Sequence, residues 1–111
     1  MLDIYIPTLR TERIESIVEN ISNTTLIPYR IYFILEKPDF ERLKGLQRKE
    51  LLLNKRSPTY AGAINSAYEQ TDGKFFFCGA DDLKFYPDWA SIALEKMDEY
   101  SVVGTNDMLN I

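Results

Sequence analysis

Apolar residues recur along this chain with two alternating periodicities. Five short segments rich in β-branched, aromatic or leucine residues end in polar or turn-forming residues. They predict strands at 2–6, 29–36, 50–54, 74–80 and 101–106. Between the strands, apolar residues recur at the three- and four-residue spacing of a helix face. Alternating strands and helices predict an α/β domain, with a mostly parallel sheet and helices on both of its faces.

The first helix is predicted from Thr11 onwards, and its inward stripe is Ile14, Ile17, Val18 and Ile21. A shorter helix is predicted at 39–47, with Phe40, Leu43 and Leu46 on one side. The last helix begins at Pro87, with Trp89, Ile92, Ala93 and Met97 inward.

The third helix has the clearest signals. Ser57 is a favourable N-cap, Pro58 suits the first helical position and Gly73 is a plausible C-terminal stop. Its predicted inward face is Ala61, Ile64, Ala67 and Tyr68. The strand at 74–80 that follows is apolar at consecutive positions, which predicts a strand covered on both faces.

Length and composition indicate an ordinary globular protein. A chain of 111 residues, 45% of them hydrophobic, fits one domain spanning 1–111. No apolar run approaches the roughly 20 residues of a membrane span, and we find no signal-peptide pattern. The single cysteine, Cys78, cannot form an internal disulfide, so we expect a cytoplasmic protein.

Charge and residue types exclude several classes of function. The net charge of −4 argues against an extended nucleic-acid-binding face. Histidine is absent, which excludes a Ser-His-Asp triad, and one cysteine nearly excludes a structural zinc site. Any bound metal should therefore have oxygen ligands, which favours Mg²⁺, Mn²⁺ or Ca²⁺.

Polar residues follow four of the predicted strands. In an open parallel sheet, the carboxyl ends of the strands share one edge, and ligands bind beyond that edge. The residues at these ends are Pro7-Thr8, Glu36, Asn54-Lys55-Arg56 and Asp81-Asp82. The pattern therefore predicts one binding edge assembled from four distant parts of the chain.

The adjacent carboxylates of Asp81 and Asp82 repel each other, and a divalent cation would remove that repulsion. Mg²⁺ and Mn²⁺ typically use one or two protein carboxylates together with phosphate oxygens and water. The pair thus suits a metal that bridges the protein to a diphosphate, with Arg56 or Lys55 as a second contact. The alternative is a solvated turn in which one aspartate caps the next segment.

Two stretches resemble family 2 glycosyltransferases, which have the GT-A (Rossmann-like) fold. "IYIPTLRTERI" resembles the family's opening strand and loop. "YAGAINSAYEQTDGKFFFCGADDLKFYPDW" resembles its second signature. The similarity extends from about residue 2 to residue 97. The residues at the family's spacing are Asn65, Gly73, Asp81, Asp82, Pro87 and Asp88.

The resemblance implies sugar transfer from a nucleotide-diphosphate donor, with a UDP-sugar expected, to an unknown acceptor, using Mn²⁺ or Mg²⁺. Asp82 resembles the metal ligand, and Asp81 resembles the residue near the donor ribose and the metal's water shell. Thr8 lies where the first strand meets the nucleoside, Glu36 resembles the acid that contacts the base, and Arg56 lies near base or phosphates. No catalytic residue is implied.

The chain also departs from the family. Gly79 replaces a frequent Asp, Leu9-Arg10 replace Tyr-Asn, and Ile64 replaces a common Arg. The family's domain normally continues for about another hundred residues, which carry the acceptor site and, in inverting members, the base. We expect apolar surface left by that difference to favour self-association into a homo-oligomer.

Two other functions stay open. One is a non-catalytic nucleotide-sugar-binding or assembly module without an acceptor site. The other is a nucleotidyltransferase, which also uses paired carboxylates and metals.

Several single residues are expected to be structural. Asn65 should bond backbone between helix and sheet. Phe75–Phe77 and Trp89 should belong to the core, and Cys78 should be a small buried hydrophobe.

Overall fold

Four strands and three α-helices alternate in the computed structural model, which describes residues 2–46, 50–71 and 75–91. The strands are β1 (Leu2–Pro7), β2 (Tyr29–Leu35), β3 (Leu51–Leu53) and β4 (Phe75–Cys78). The helices are α1 (Ile14–Thr24), α2 (Lys37–Leu43) and α3 (Tyr60–Gln70). Short 3₁₀ turns precede α1 at Thr11–Arg13 and follow α2 at Lys44–Leu46.

The four strands form one sheet in the order β3-β2-β1-β4, and every pairing is parallel. Leu2 is opposite Tyr29 on one side and Phe75 on the other. The predicted α/β class with a parallel sheet is thereby confirmed. The predicted strand at 101–106, helix positions 92–97 and Gly73 lie outside the described residues.

The two faces of the sheet carry separate hydrophobic clusters. The larger cluster joins Leu2, Ile4 and Ile6 of β1 to the inward stripe of α1 and to residues 85–90. The smaller cluster packs α3 against the other face, where Tyr5 and Ile34 are buried. Helices therefore cover both faces, as the alternation of elements predicts.

Helix α1 buries the stripe predicted from its periodicity. Ile14, Ile17 and Ile21 are buried, and Val18 packs at the margin of the cluster. Each such side chain contributes about 1.5–3 kcal/mol when it is fully removed from water. The prediction for α1 is thus confirmed.

The segment after β4 is attached to α1 by side chains distant in sequence. The Asn20 amide donates to the Phe85 carbonyl at 3.0 Å and accepts from the Phe85 N–H at 2.7 Å. The Trp89 indole donates to Thr25 Oγ1 at 2.8 Å, and its ring lies 4.8 Å from that of Phe77. The expectation that Trp89 belongs to the core is confirmed.

Helix α3 differs from its prediction at its start. Thr59, and not Ser57, is the N-cap, and its hydroxyl accepts from the Gly62 N–H at 3.0 Å. The Ser57 carbonyl instead accepts from the Thr59 N–H at 2.8 Å. Because the chain turns there before the helix begins, Pro58 lies outside α3.

The inward face of α3 is also partly wrong in the prediction. The buried residues are Gly62, Ala63, Ser66 and Ala67, whereas Tyr68 and Ala61 are exposed. These short side chains bring the helix close to the sheet. Asn65 is exposed, and the expected helix-to-sheet bond is made instead by Gln70, whose amide donates to the Leu53 carbonyl at 2.9 Å. The Ser66 hydroxyl accepts from the Lys55 N–H, just after β3, at 2.9 Å.

Strand β4 was predicted to be covered on both faces, and this prediction is wrong. Phe77 is buried in the core, but Phe75 and Phe76 retain 46% and 39% of their accessible surface. Phe76 stacks on Tyr5 with ring centroids 5.2 Å apart. Within the described residues β4 is an outer strand, which leaves part of its surface open. Cys78 is only partly buried.

The described helices include none that is both long and apolar enough to cross a bilayer.

Gly62 tests how closely the first turn of α3 packs against Ser57 in the loop that precedes it. A Cβ at Gly62 would lie 2.2 Å from the Ser57 carbonyl oxygen, so Gly62→Ala should destabilise the protein by about 1–3 kcal/mol, although alanine favours helix. Chemical denaturation measures this change in the free energy of unfolding.

Gly45→Ala is the matched control. A Cβ at Gly45 meets nothing within 4 Å, so this substitution should be neutral or stabilise by up to about 1 kcal/mol. Equal effects of the two substitutions on the free energy of unfolding would contradict the close packing of α3 against the Ser57 carbonyl.

Candidate functional site

The topology of the sheet creates a crevice beside β1. The chain leaves β1 for β2 and β3 on one side, and then returns over the opposite face through α3 to form β4 on the other side of β1. In open α/β sheets, ligands bind at such a reversal, beyond the carboxyl ends of the strands. A cavity of about 300 Å³ lies there. Its size falls at the lower end of the range for small-molecule sites.

Four of the five predicted site residues line this cavity: Thr8, Glu36, Asp81 and Asp82. The fifth, Arg56, is not among the lining residues, and its guanidinium pairs with Glu69 of α3. Leu9, Arg10 and Tyr60 also line the cavity, although the sequence pattern did not single them out as site residues.

Asp81 is bonded to the loop that follows β1. Its Oδ2 accepts from the backbone N–H groups of Leu9 at 2.9 Å and Arg10 at 2.8 Å. Its Oδ1 lies 3.4 Å from Nη1 of Arg10. Only 13% of the Asp81 side chain is exposed. Asp81 therefore connects the two loops on either side of the crevice.

Asp82 has a different environment, although it is the next residue. It is exposed at the cavity, and no hydrogen bond or ion pair engages its carboxylate within the described ranges. Both of its oxygens thus remain available to a ligand.

Thr8 and Glu36 are oriented by the ends of β1 and β2. Thr8 is buried, and its hydroxyl donates to the Ile6 carbonyl at 2.7 Å. Glu36 Oε2 accepts from the amide of Asn54 at 2.8 Å. The same amide nitrogen donates to the Ser57 carbonyl, and Asn54 Oδ1 accepts from the Arg56 N–H at 2.9 Å. Asn54 thereby fixes Glu36 and the loop after β3 together.

Tyr60, in the first turn of α3, also lines the cavity. Its hydroxyl donates to the Gly79 carbonyl at 2.7 Å, and the Gly79 N–H donates to the Tyr5 carbonyl at 2.8 Å. Burial raises the pKa of Tyr60 to about 12, although half of its surface stays exposed. The sequence pattern gave no signal for Tyr60, because it placed the start of this helix at Ser57.

The carboxylates define what kind of cation could bind. No group of three or more histidine, cysteine or acidic side chains in the described part of the chain is arranged to hold a metal by itself. A lone accessible carboxylate such as Asp82 fits Mg²⁺ or Mn²⁺, which keep several waters and use substrate phosphates as further ligands.

Comparison of the chain with protein-family models, with curated proteins and with solved structures gave no match.

The Tyr60 hydroxyl predicts a pH dependence of stability. With a pKa of about 12 in the folded state against 10.0 ordinarily, the folded chain keeps a proton that the unfolded chain loses. Below the pKa of the unfolded state, Tyr60 is protonated in both states and contributes fully to the stability of the fold. This contribution to stability declines as the pH rises through the pKa of the folded state. The stability difference between wild type and Tyr60→Phe should therefore shrink between pH 10 and pH 12.

Denaturant unfolding of the two proteins across this window measures the difference. At neutral pH, Tyr60→Phe should cost about 1 kcal/mol through the lost bond to Gly79. A difference that stays constant up to the alkaline limit would contradict a buried, hydrogen-bonded hydroxyl.

Proposed function

We propose that this chain is the nucleotide-sugar-binding part of a metal-dependent glycosyltransferase with a GT-A fold, and that its donor is a UDP-sugar. The observation that carries the proposal is the cavity at the reversal beside β1, where Asp81 and Asp82 meet Thr8 and Glu36. These are the residues to which the family resemblance assigns donor contacts.

The charges around the cavity support a metal-dependent anionic ligand. Among the described lining residues, Glu36, Asp81 and Asp82 are acidic and Arg10 is the one base. The Arg10 guanidinium is already shared with Asp81. A diphosphate alone would be repelled by this surface, so a divalent cation at Asp82 would make its binding favourable.

The remaining residues suit a nucleoside. Glu36 Oε2 is held by Asn54, which leaves Oε1 free to accept a hydrogen bond from an N–H group of a base. Thr8 donates its proton to Ile6, so its oxygen can only accept a further hydrogen bond. Glu36 would thus select for a donor group on a ligand, such as a pyrimidine N–H, whereas Thr8, which is 1% exposed, offers little surface for a direct contact.

Mn²⁺ or Mg²⁺, when bound, would supply Lewis-acid stabilisation of the diphosphate leaving group. Asp82 would hold the ion, and the loops after β1 and β4 would orient the donor around it. The acceptor and the general base stay unassigned.

Calorimetric titration tests the proposal directly. UDP and several nucleotide sugars are titrated with Mn²⁺ and with chelator into wild type, Asp82→Ala and Asp39→Ala. We expect Mn²⁺ to strengthen donor binding about tenfold or more, equivalent to about 1.4 kcal/mol, and Asp82→Ala to remove that gain. Asp39→Ala removes the same charge away from the cavity, beside Arg42, and should bind like wild type.

Full metal-dependent binding by Asp82→Ala would contradict the proposed role of Asp82. Preference for a nucleoside triphosphate over nucleotide sugars would favour a nucleotidyltransferase. Metal-dependent binding without transfer or hydrolysis of the donor would favour a binding module.

A further inference from the structure

The two adjacent aspartates line one cavity but differ in their bonding: Asp81 is bonded to Leu9 and Arg10, whereas Asp82 makes no hydrogen bond or ion pair with the described residues. We infer that Asp81 is a positioning residue, which builds the β1 side of the cavity, and that Asp82 alone of the pair serves the cation and its anionic ligand. The inference rests on the proposed function for the ligand. Its structural part, the attachment of the β1 loop by Asp81, stands on the geometry alone.

Two consecutive backbone N–H groups, from Leu9 and Arg10, converge on one carboxylate oxygen of Asp81 at 2.9 and 2.8 Å. Hydrogen bonds from backbone N–H groups to a carboxylate are charge-assisted and stronger than those between neutral groups. The two amides therefore stabilise the charge of Asp81 within the protein itself. Since Asp81 is 71 residues from Arg10 in sequence, this contact joins the loops after β1 and β4 at the edge of the cavity.

Little else in the described structure holds the tip of the β1 loop. Thr8 is attached to the sheet, because its N–H donates to the Ile34 carbonyl at 2.9 Å. Leu9, the next residue, keeps 77% of its surface exposed and contributes nothing to the core. The Arg10 carbonyl also accepts from the Arg13 N–H at 3.0 Å, so the chain beyond Arg10 is held by its own turn. The carboxylate of Asp81 is what attaches the N–H groups of Leu9 and Arg10 to the loop after β4.

The same contacts give the carboxylates of Asp81 and Asp82 different electrostatic environments. Two amide dipoles and the Arg10 guanidinium compensate the carboxylate of Asp81. Asp82 has no such compensation in the described ranges, so its charge is directed at whatever enters the cavity. These contacts also lower the electrostatic repulsion that the charge of Asp81 exerts on Asp82.

The test compares alanine and asparagine at both positions. Asp81→Asn keeps an oxygen that can accept from both amides, whereas Asp82→Asn removes the charged oxygen that a hard cation needs. UDP affinity is measured with Mn²⁺ and with chelator, and the ratio of the two Kd values gives the metal enhancement. Amide hydrogen exchange of Leu9 and Arg10 is followed by NMR without nucleotide.

We expect Asp81→Ala to weaken UDP binding about tenfold both with Mn²⁺ and with chelator, so that the metal enhancement is preserved. Asp81→Asn should restore most of that affinity. In Asp82→Ala and Asp82→Asn the metal enhancement should fall to about one. Exchange at Leu9 and Arg10 should accelerate about tenfold in Asp81→Ala and much less in Asp81→Asn, and should not change in either Asp82 variant.

Unchanged exchange at Leu9 and Arg10 in Asp81→Ala would overturn the inference. Loss of the metal enhancement in Asp81→Asn, matching Asp82→Asn, would also overturn it, because both carboxylates would then serve the cation. If wild type binds no nucleotide under any condition, the proposed function fails. The exchange rates then decide by themselves whether Asp81 holds the loop.

Discussion

The pairing of β1 with a strand on each side is the constraint on which this structure depends. Ile4, Tyr5 and Ile6 are fully buried, because neighbouring strands satisfy the backbone on both edges and helices cover both faces. Such a strand can bury apolar residues at every position, which alternation on one face does not allow. Both hydrophobic clusters include side chains of β1, so the two layers of helices share one central element.

The location of the cavity follows from the same constraint. Since β2 and β4 pair with opposite edges of β1, the order in which strands are added to the sheet reverses after β3. The loops after β1 and β4 then diverge from neighbouring strand ends and leave a crevice between them. The short side chains of α3 allow its first turn to come close enough for Tyr60 to reach the Gly79 carbonyl. The rigid sheet thus positions loops that carry the polar groups.

Within the crevice, backbone geometry distinguishes two side chains that are chemically identical. Asp81 meets the N–H groups of Leu9 and Arg10 and becomes part of the protein's own hydrogen bonding. Asp82, one residue later, faces the cavity from an exposed position. An acidic pair at a strand end can therefore contain one carboxylate that is bonded within the protein and one that stays exposed, and the surrounding loop decides which is which.

The sequence by itself determined the order of elements, the parallel α/β class, the buried stripe of α1 and the polar edge that contains Thr8, Glu36, Asp81 and Asp82. These features follow from local periodicity and from the rule that parallel strands end at one edge. Only the tertiary structure decided that Arg56 pairs with Glu69 outside the cavity, that small residues form the inner face of α3, and that Phe76 stays partly exposed. It also decided which aspartate meets Leu9 and Arg10, because that contact joins residues about 70 positions apart. Periodicity reports which side of an element is buried, whereas the identity and distance of its neighbour depend on the packing of the whole chain.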